Sequence, residues 1–322
     1  MKKILVIFTG GTIGSTVTDG IISVNSDSNF QLISLYEAEY GSNAEFSPVK
    51  IMETLSENMT AYHWELLCNY LNGIDFSQYS GIIITHGSDT LAYTSSLVGM
   101  MFRHTTIPII LVASNKPLGS NGSNGLKNFA MAVEHILSNK GAGIFTAYDK
   151  ICLSTRLLPA DTCLDRFSIY GGDDSKALES AFNARLSDLE LGQIHFKKEI
   201  LVIHGYPNIN FENYNLSETV AAVLYVPYHS GTACTDCKDT DKSLLTFLDR
   251  CKKGGILLYI CGFKKSAGIY DTTAKLLDSG AKPLYGLSDI SAYTKLMIAY
   301  NQNKMSVNDV LTTNLYFETV DT

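Results

Sequence analysis

Five consecutive apolar residues, Ile4-Leu5-Val6-Ile7-Phe8, run straight into Thr9-Gly10-Gly11-Thr12-Ile13-Gly14. A run that is apolar on both faces belongs in a strand covered on both sides, as in a parallel sheet flanked by helices. Open sheets of that kind bind ligands beyond the carboxyl ends of their strands. Gly10 and Gly11 permit backbone geometry and close approach that a Cβ would obstruct. Their spacing, Gly-Gly-x-x-Gly, fits neither the dinucleotide fingerprint nor the phosphate loop with its lysine. What the turn does carry is hydroxyl groups. Thr12 is therefore a candidate nucleophile, or a hydroxyl that caps the helix following the turn.

The pattern recurs at Gly81-Ile82-Ile83-Ile84-Thr85, which empties into His86-Gly87-Ser88-Asp89-Thr90. Strand-like runs at 3–8, 81–85, 108–113 and 143–147 alternate with helical stretches near 61–72, 90–103 and 125–138. This rhythm predicts an α/β fold whose larger N-terminal domain, 1–195, is a mostly parallel sheet flanked by helices. A second alternation, with strands from 199 and near 220–227 and 255–261, predicts a smaller C-terminal α/β domain over 196–322. Residues 175–198 read as a helical or irregular connector, and the polar stretch from Asp19 to Pro48 as a mobile loop over the site.

The net charge of −7 argues against a nucleic-acid binder, which needs Lys and Arg clustered on one face. No apolar run approaches the ~20 residues of a membrane span, and Lys2-Lys3 leads into a short strand rather than a secretory signal. The expectation is a cytoplasmic protein with no membrane partner. Seven scattered cysteines fit reduced thiols better than a disulfide framework. Cys234-Thr235-Asp236-Cys237 has the spacing of a metal or redox pair, but lacks further ligands at matching spacing, so free thiols and no metal are expected.

Strand-TGGTIG followed by strand-HGSDT-x-AYT resembles the bacterial-type L-asparaginase family, whose signatures have the form TGGTI and HGTDT. Ser56-Glu57-Asn58-Met59-Thr60 is similar to that family's substrate-binding serine segment, and Ser123-Asn124-Gly125 with Asn128 to its SDG-x-x-N helix start. The resemblance implies Thr12 as primary nucleophile, Ser88 as the hydroxyl of a second catalytic group, Asp89 on the substrate α-amino group and Ser56 on its α-carboxylate. Gly11, Glu57 and Gly87 line the substrate position in the same reading, while His86 is structural. The bland alternatives are helix capping for Asp89 and an exposed loop position for Ser56.

Three departures accompany the likeness. Arg156, in Ser154-Thr155-Arg156, stands where the family lysine is expected, and arginine holds charge without releasing a proton. No tyrosine follows the first motif closely; Tyr36 and Tyr40 come later. Asp289 is the one acidic residue in Ser288-Asp289-Ile290-Ser291, where the family has a substrate-contacting glutamate. The implied activity is hydrolysis of L-asparagine to aspartate and ammonia on a small-molecule amide substrate, without cofactor, in a homodimer or homotetramer. The alternatives are a related amidohydrolase acting on glutamine or another amide, and a catalytically impaired binding or regulatory protein of the same fold.

Overall fold

The computed structural model describes residues 1–18, 21–24, 28–172, 174–181, 186–235, 238–263 and 268–320. Asp19, Gly20, Asn25, Ser26 and Asp27 of the expected loop, and Asp236 and Cys237 of the cysteine pair, lie outside the described residues. The chain divides into two compact units, one of residues 1–187 with 315–317, the other of 188–314 with 318–322.

The first unit is built on a six-stranded sheet. Its strands are β1 (Lys2–Gly10), β4 (Ala44–Thr54), β5 (Gly81–Thr85), β6 (Pro108–Val112), β7 (Gly143–Tyr148) and β8 (Lys150–Leu153), in the order β4-β1-β5-β6-β7-β8. All pairings are parallel except the last, β8 running antiparallel to β7. Ile4 to Gly10 and all of β5 are buried, as strands with no polar side must be. Between β1 and β5 the sheet has its switch point. The chain leaves β1 for β4 on one side and leaves β5 for β6 on the other, so the two exits part and open a crevice at the carboxyl ends.

Helices cover both faces. Helix α1 (Ser28–Tyr40) packs with α4 (Gly125–Leu137), where Tyr36 and Phe129 meet edge to face at 5.5 Å. Helix α2 (Ala61–Asn72) packs with α3 (Leu91–Met101), where Trp64 Nε1 donates to Thr94 Oγ1 at 3.0 Å. A short helix, α5 (Ser175–Ala181), follows β8.

The described part of the stretch, residues 21–24 and 28–48, differs from the expected irregular loop. It holds strand β3 (Ile21–Val24), which pairs antiparallel with β2 (Ser15–Thr18), then all of α1, then the first part of β4. The alternation in β4 is weak because it is the edge strand, half-exposed along its length, and carries Pro48 where an edge tolerates it. Tyr36 belongs to this packing: it is buried, stacks on Tyr40 at 5.2 Å and donates its hydroxyl to Asn43 Oδ1 at 3.0 Å.

The second unit holds a four-stranded parallel sheet, β12-β11-β10-β9, from β9 (Glu199–His204), β10 (Val220–Val226), β11 (Leu257–Phe263) and β12 (Lys282–Tyr285). Helices α6 (Leu244–Lys253), α7 (Asp271–Asp278), α8 (Asp289–Asn301) and α9 (Val307–Thr312) complete it. Its core centres on Phe211, Tyr225 and Phe247, with Phe211 stacked on Phe247 at 5.2 Å and the Arg250 guanidinium over the Phe247 ring at 4.8 Å. Helix α8 buries an ion pair in which Lys295 Nζ lies 2.6 Å from Glu318 Oε1 and donates to Thr313 O at 2.5 Å.

Removing one partner of a buried pair strands the other charge, at a cost of about 3–5 kcal/mol. Lys295→Met is therefore expected to destabilise this unit severely. Lys295→Met combined with Glu318→Leu should recover much of the loss in urea unfolding; a double variant no better than the single one would mean that the pair is not the stabilising element.

Candidate active site

The two glycine turns meet at the switch point, backbone against backbone. Gly10 and Gly11 have φ of +105° and +77°, values L side chains rarely adopt. A Cβ on Gly11 would overlap the Gly87 backbone nitrogen and lie 2.5 Å from Gly87 Cα. One on Gly87 would lie 2.5 Å from Ser56 Oγ. The first turn is anchored by Gly11 N–H donating to Thr54 O at 2.9 Å, after which Thr12–Gly14 closes a single 3-10 turn. The glycines are thus required twice, by conformation and by proximity.

Ser56, buried in a 3-10 turn over Ser56–Asn58, fixes the second turn. Its hydroxyl accepts the Asp89 N–H at 3.2 Å and donates to Asp89 Oδ2 at 3.1 Å, and its carbonyl accepts from Thr90 Oγ1 at 2.9 Å. This excludes the exposed-loop reading of Ser56. Asp89 caps nothing: α3 starts at Leu91, and its carboxylate is held by Ser56 instead. Glu57 and Asp89 are exposed, while Thr12 and Ser88 are half-buried. Among the described residues, neither the Thr12 hydroxyl nor the Ser88 hydroxyl has a hydrogen-bond partner, so the capping alternative for Thr12 has no bond to support it.

His86 is fully buried behind these groups, with Nδ1 2.8 Å from Gly87 O. A carbonyl only accepts, so Nδ1 carries the proton. Burial pushes the ring's pKa down to about 4, outweighing the Gly87 carbonyl, which would favour the charged form. At the next exit, Asn128 Nδ2 donates to Ala113 O and its Oδ1 accepts the Asp149 N–H, both at 2.9 Å, tying the ends of β6 and β7 together.

Gly11, Thr12, Ser56, Gly87, Ser88 and Asp89 are thus gathered at one crevice edge. Arg156 makes contacts with the C-terminal segment of this unit. It ends a buried 3-10 turn, Ser154–Arg156, and its guanidinium donates to Phe317 O from Nε and to Tyr170 O at 3.5 Å from Nη1. That turn packs at Gly99, where a Cβ would lie 2.9 Å from Thr155 Cγ2. Gly99 is more than two turns into α3, roughly 12 Å from its first residue at 1.5 Å per residue. The sequence gives no signal for the partner, residues 315–317, where Tyr316 OH accepts the Ile144 N–H and Thr155 Oγ1 donates to Tyr316 O, both at 2.6 Å.

Asp289 lies in the second unit as the first residue of α8, half-buried, its Oδ1 accepting the Ile290 N–H at 3.0 Å. The Cys261 thiol is pushed up to about 12, first by burial and then by Asp289. No group of three or more His, Cys, Asp or Glu side chains among the described residues is arranged to hold a metal ion. No helix among them is long and apolar enough to cross a membrane.

The family model described as Asparaginase, N-terminal matches residues 3–161, the stretch that carries both glycine turns. Residues 3–161 form an asparaginase-family N-terminal domain. It is 35% identical over 159 residues to the L-asparaginase of Thermococcus kodakarensis, covering 48% of this chain and 47% of that enzyme, so the match spans about half that relative's length. It is 24% identical to a subunit of the glutamyl-tRNA(Gln) amidotransferase of Saccharolobus solfataricus, over 98% of this chain and 76% of that one. The crystal structure of L-asparaginase I from Vibrio cholerae superposes with a TM-score of 0.79 at 22% identity over 99% of both chains, which supports the fold.

His86, within that asparaginase-family stretch, gives the protein a pH dependence of definite sign. Its folded pKa lies below the ordinary 6.5, so the unfolded chain binds the extra proton and stability falls as pH drops from 6.5 to about 4. The full effect is on the order of 3 kcal/mol, with about 2 kcal/mol lost by pH 5, where few carboxylates have titrated. His135, buried beside Lys140, is lowered to about 4 as well and adds in the same direction. Urea midpoints should therefore fall between pH 7 and pH 5, and fall less in His86→Asn; equal slopes would show that His86 is not the titrating group.

Proposed function

We propose that this protein is an amidohydrolase that cleaves the side-chain amide of a small amino acid, L-asparagine foremost, to the acid and ammonia. The observation that carries the reading is the interlocked pair of glycine turns at the sheet's switch point. It offers two hydroxyls without partners among the described residues, Thr12 and Ser88, beside the oriented carboxylate of Asp89. In this reading Thr12 Oγ1 attacks the amide carbonyl carbon, the C–N bond breaks and the nitrogen leaves as ammonia with the hydroxyl proton. Water then opens the resulting ester and regenerates Thr12. Ser88 is the second hydroxyl through which a proton moves, and Asp89 holds the substrate ammonium.

The bare backbone at Gly11 and Gly87 gives a ligand the close approach that a side chain would deny. Ser56 acts through Asp89, to which its hydroxyl is committed. Glu57, exposed beside it, and Asp289 remain candidates for gripping substrate, the latter in a homodimer or homotetramer. The chemistry calls for no metal or cofactor, and the proposed setting is the cytoplasm. The 98% coverage against an amidotransferase subunit supports a second reading, an amide carried on a larger molecule. A net charge of −7 weighs against a nucleic-acid carrier. Retained binding without turnover is the third reading, fed by the Ser88 and Arg156 departures.

Ammonia release from asparagine, glutamine and simple amides separates these readings. Thr12→Ala is expected to abolish release with the fold intact; near-normal turnover in that variant would remove Thr12 from the role and bring Ser88 forward. Asp89→Asn should lose most activity on asparagine and far less on an amide lacking an α-amino group. Equal losses would assign Asp89 to shaping the turn.

For Arg156 the buried contacts favour a strut for the C-terminal segment over a cation at the reacting atoms. Arg156→Met should then cost about 2 kcal/mol or more in stability, through carbonyls left unpaired, with a smaller effect on turnover at 25 °C. Loss of activity with an unchanged urea midpoint would instead restore the catalytic cation.

A further inference from the structure

The turn that presents Ser88 has an unusual mechanical problem. Gly87 must lack a Cβ, because one would run into Ser56 and come within 3.2 Å of Gly11 Cα. Glycine is also the residue whose backbone resists rotation least. A site that depends on the direction of the Gly87–Ser88 peptide thus rests on its least constrained residue, and something outside the glycine must hold it.

Two bonds answer that need, one for each turn. Gly11 is held through its N–H, which donates to Thr54 O at 2.9 Å. Gly87 is held through its carbonyl, which accepts from His86 Nδ1 at 2.8 Å. The His86 ring is fully buried, and the residue's backbone N–H donates to Val112 O at 2.8 Å, tying its main chain to the neighbouring strand. Its Nε2 is buried with no hydrogen-bond partner among the described residues, so the ring makes one polar contact there, the one to Gly87. The peptide between Gly87 and Ser88 is trans, and in a trans peptide the C=O and N–H point in opposite directions. Drawing the carbonyl back into the buried ring therefore turns the Ser88 N–H away from it.

We infer that His86 is a positioning residue for the proposed hydrolysis: its neutral ring clamps the Gly87 carbonyl and thereby sets the direction in which the Ser88 N–H and hydroxyl face the crevice. The inference rests on the hydrolase reading for its catalytic consequence, but the clamp itself is a structural claim. It assigns His86 no proton transfer and no contact with substrate.

Three replacements test it. In His86→Asn the amide Nδ2 falls where Nδ1 was and keeps the donor; His86→Leu removes it; His86→Gln moves it one carbon farther out. Two readouts are taken, ammonia release from asparagine and the 1H–15N signal of the Ser88 amide in serine-labelled protein. The expected result is a kcat lowered roughly tenfold or more in His86→Leu with KM within about threefold, and kcat restored to within about threefold of native in His86→Asn. The Ser88 amide should shift in His86→Leu and return toward its native position in His86→Asn. If His86→Leu does not fold, His86→Gln takes its place under the same criteria.

Equal impairment of the donor-retaining and donor-lacking variants, a loss carried by KM, or a Ser88 amide that does not move overturns the inference. Should the native protein release ammonia from no amide, the hydrolase reading fails, and the Ser88 amide comparison decides the clamp alone.

Discussion

The direct contact between the Gly11 and Gly87 backbones is the constraint on which the rest of the first unit depends. It demands that β1 and β5 be adjacent and parallel, so that their exits converge, and that both turns be free of side chains where they touch. It also demands that the chain leave in opposite directions, since two crossovers on the same side would fill the space above the contact. The strand order β4-β1-β5-β6 meets that last condition. The buried isoleucines of the two strands, with Leu5, Val6 and Phe8, provide a packed floor, as site geometry requires of its scaffold.

Above that floor the polar groups divide into two sets. One set is committed to structure: Ser56 to Asp89, His86 to Gly87, Asn128 to Ala113 and Asp149, and Gly11 N–H to Thr54. Each closes a turn or ties one strand exit to another, and each is buried or nearly so, where leaving it unpaired would be costly. The other set, the hydroxyls of Thr12 and Ser88, is half-buried and without protein partners among the described residues. Committed groups confer position, and open ones are available for chemistry. The Arg156 guanidinium also donates to main-chain carbonyls, those of Tyr170 and Phe317.

Legibility followed burial pattern. Strands β1, β5, β6 and β7 could be read because they are apolar on both faces, and α2, α3 and α4 because apolar residues recur between those strands. β4 could not, because an edge strand half in water has the composition of a loop. α8 was missed for the opposite reason: with Ile290, Thr294, Lys295, Leu296, Met297, Ile298 and Ala299 all buried, it has no polar face to mark a helical period. The two motifs gave the turns, and their chemistry could be argued from residue type. What they could not give was direction. Whether Ser56 faces a ligand or Asp89, and whether Arg156 faces a crevice or the chain's own carbonyls, depends on rotamers and on residues 33 and 161 positions away.

Asp89 brings these strands of argument together. Ser56 binds it twice, accepting from its backbone and donating to Oδ2, so the carboxylate is oriented by a buried group while remaining exposed itself. A surface carboxylate normally samples several rotamers, and an ammonium that binds it must bear the entropy of ordering both partners. Here the ordering is already done by folding, and only one oxygen is used to do it. Oδ1 has no partner among the described residues and stands at the rim of the turn that carries Ser88. In the proposed reaction that preorganisation makes Asp89 a fixed point from which the amide is measured toward Thr12. Specificity then follows from the distance between a substrate's ammonium and its amide carbon, a length that differs by one methylene between asparagine and glutamine.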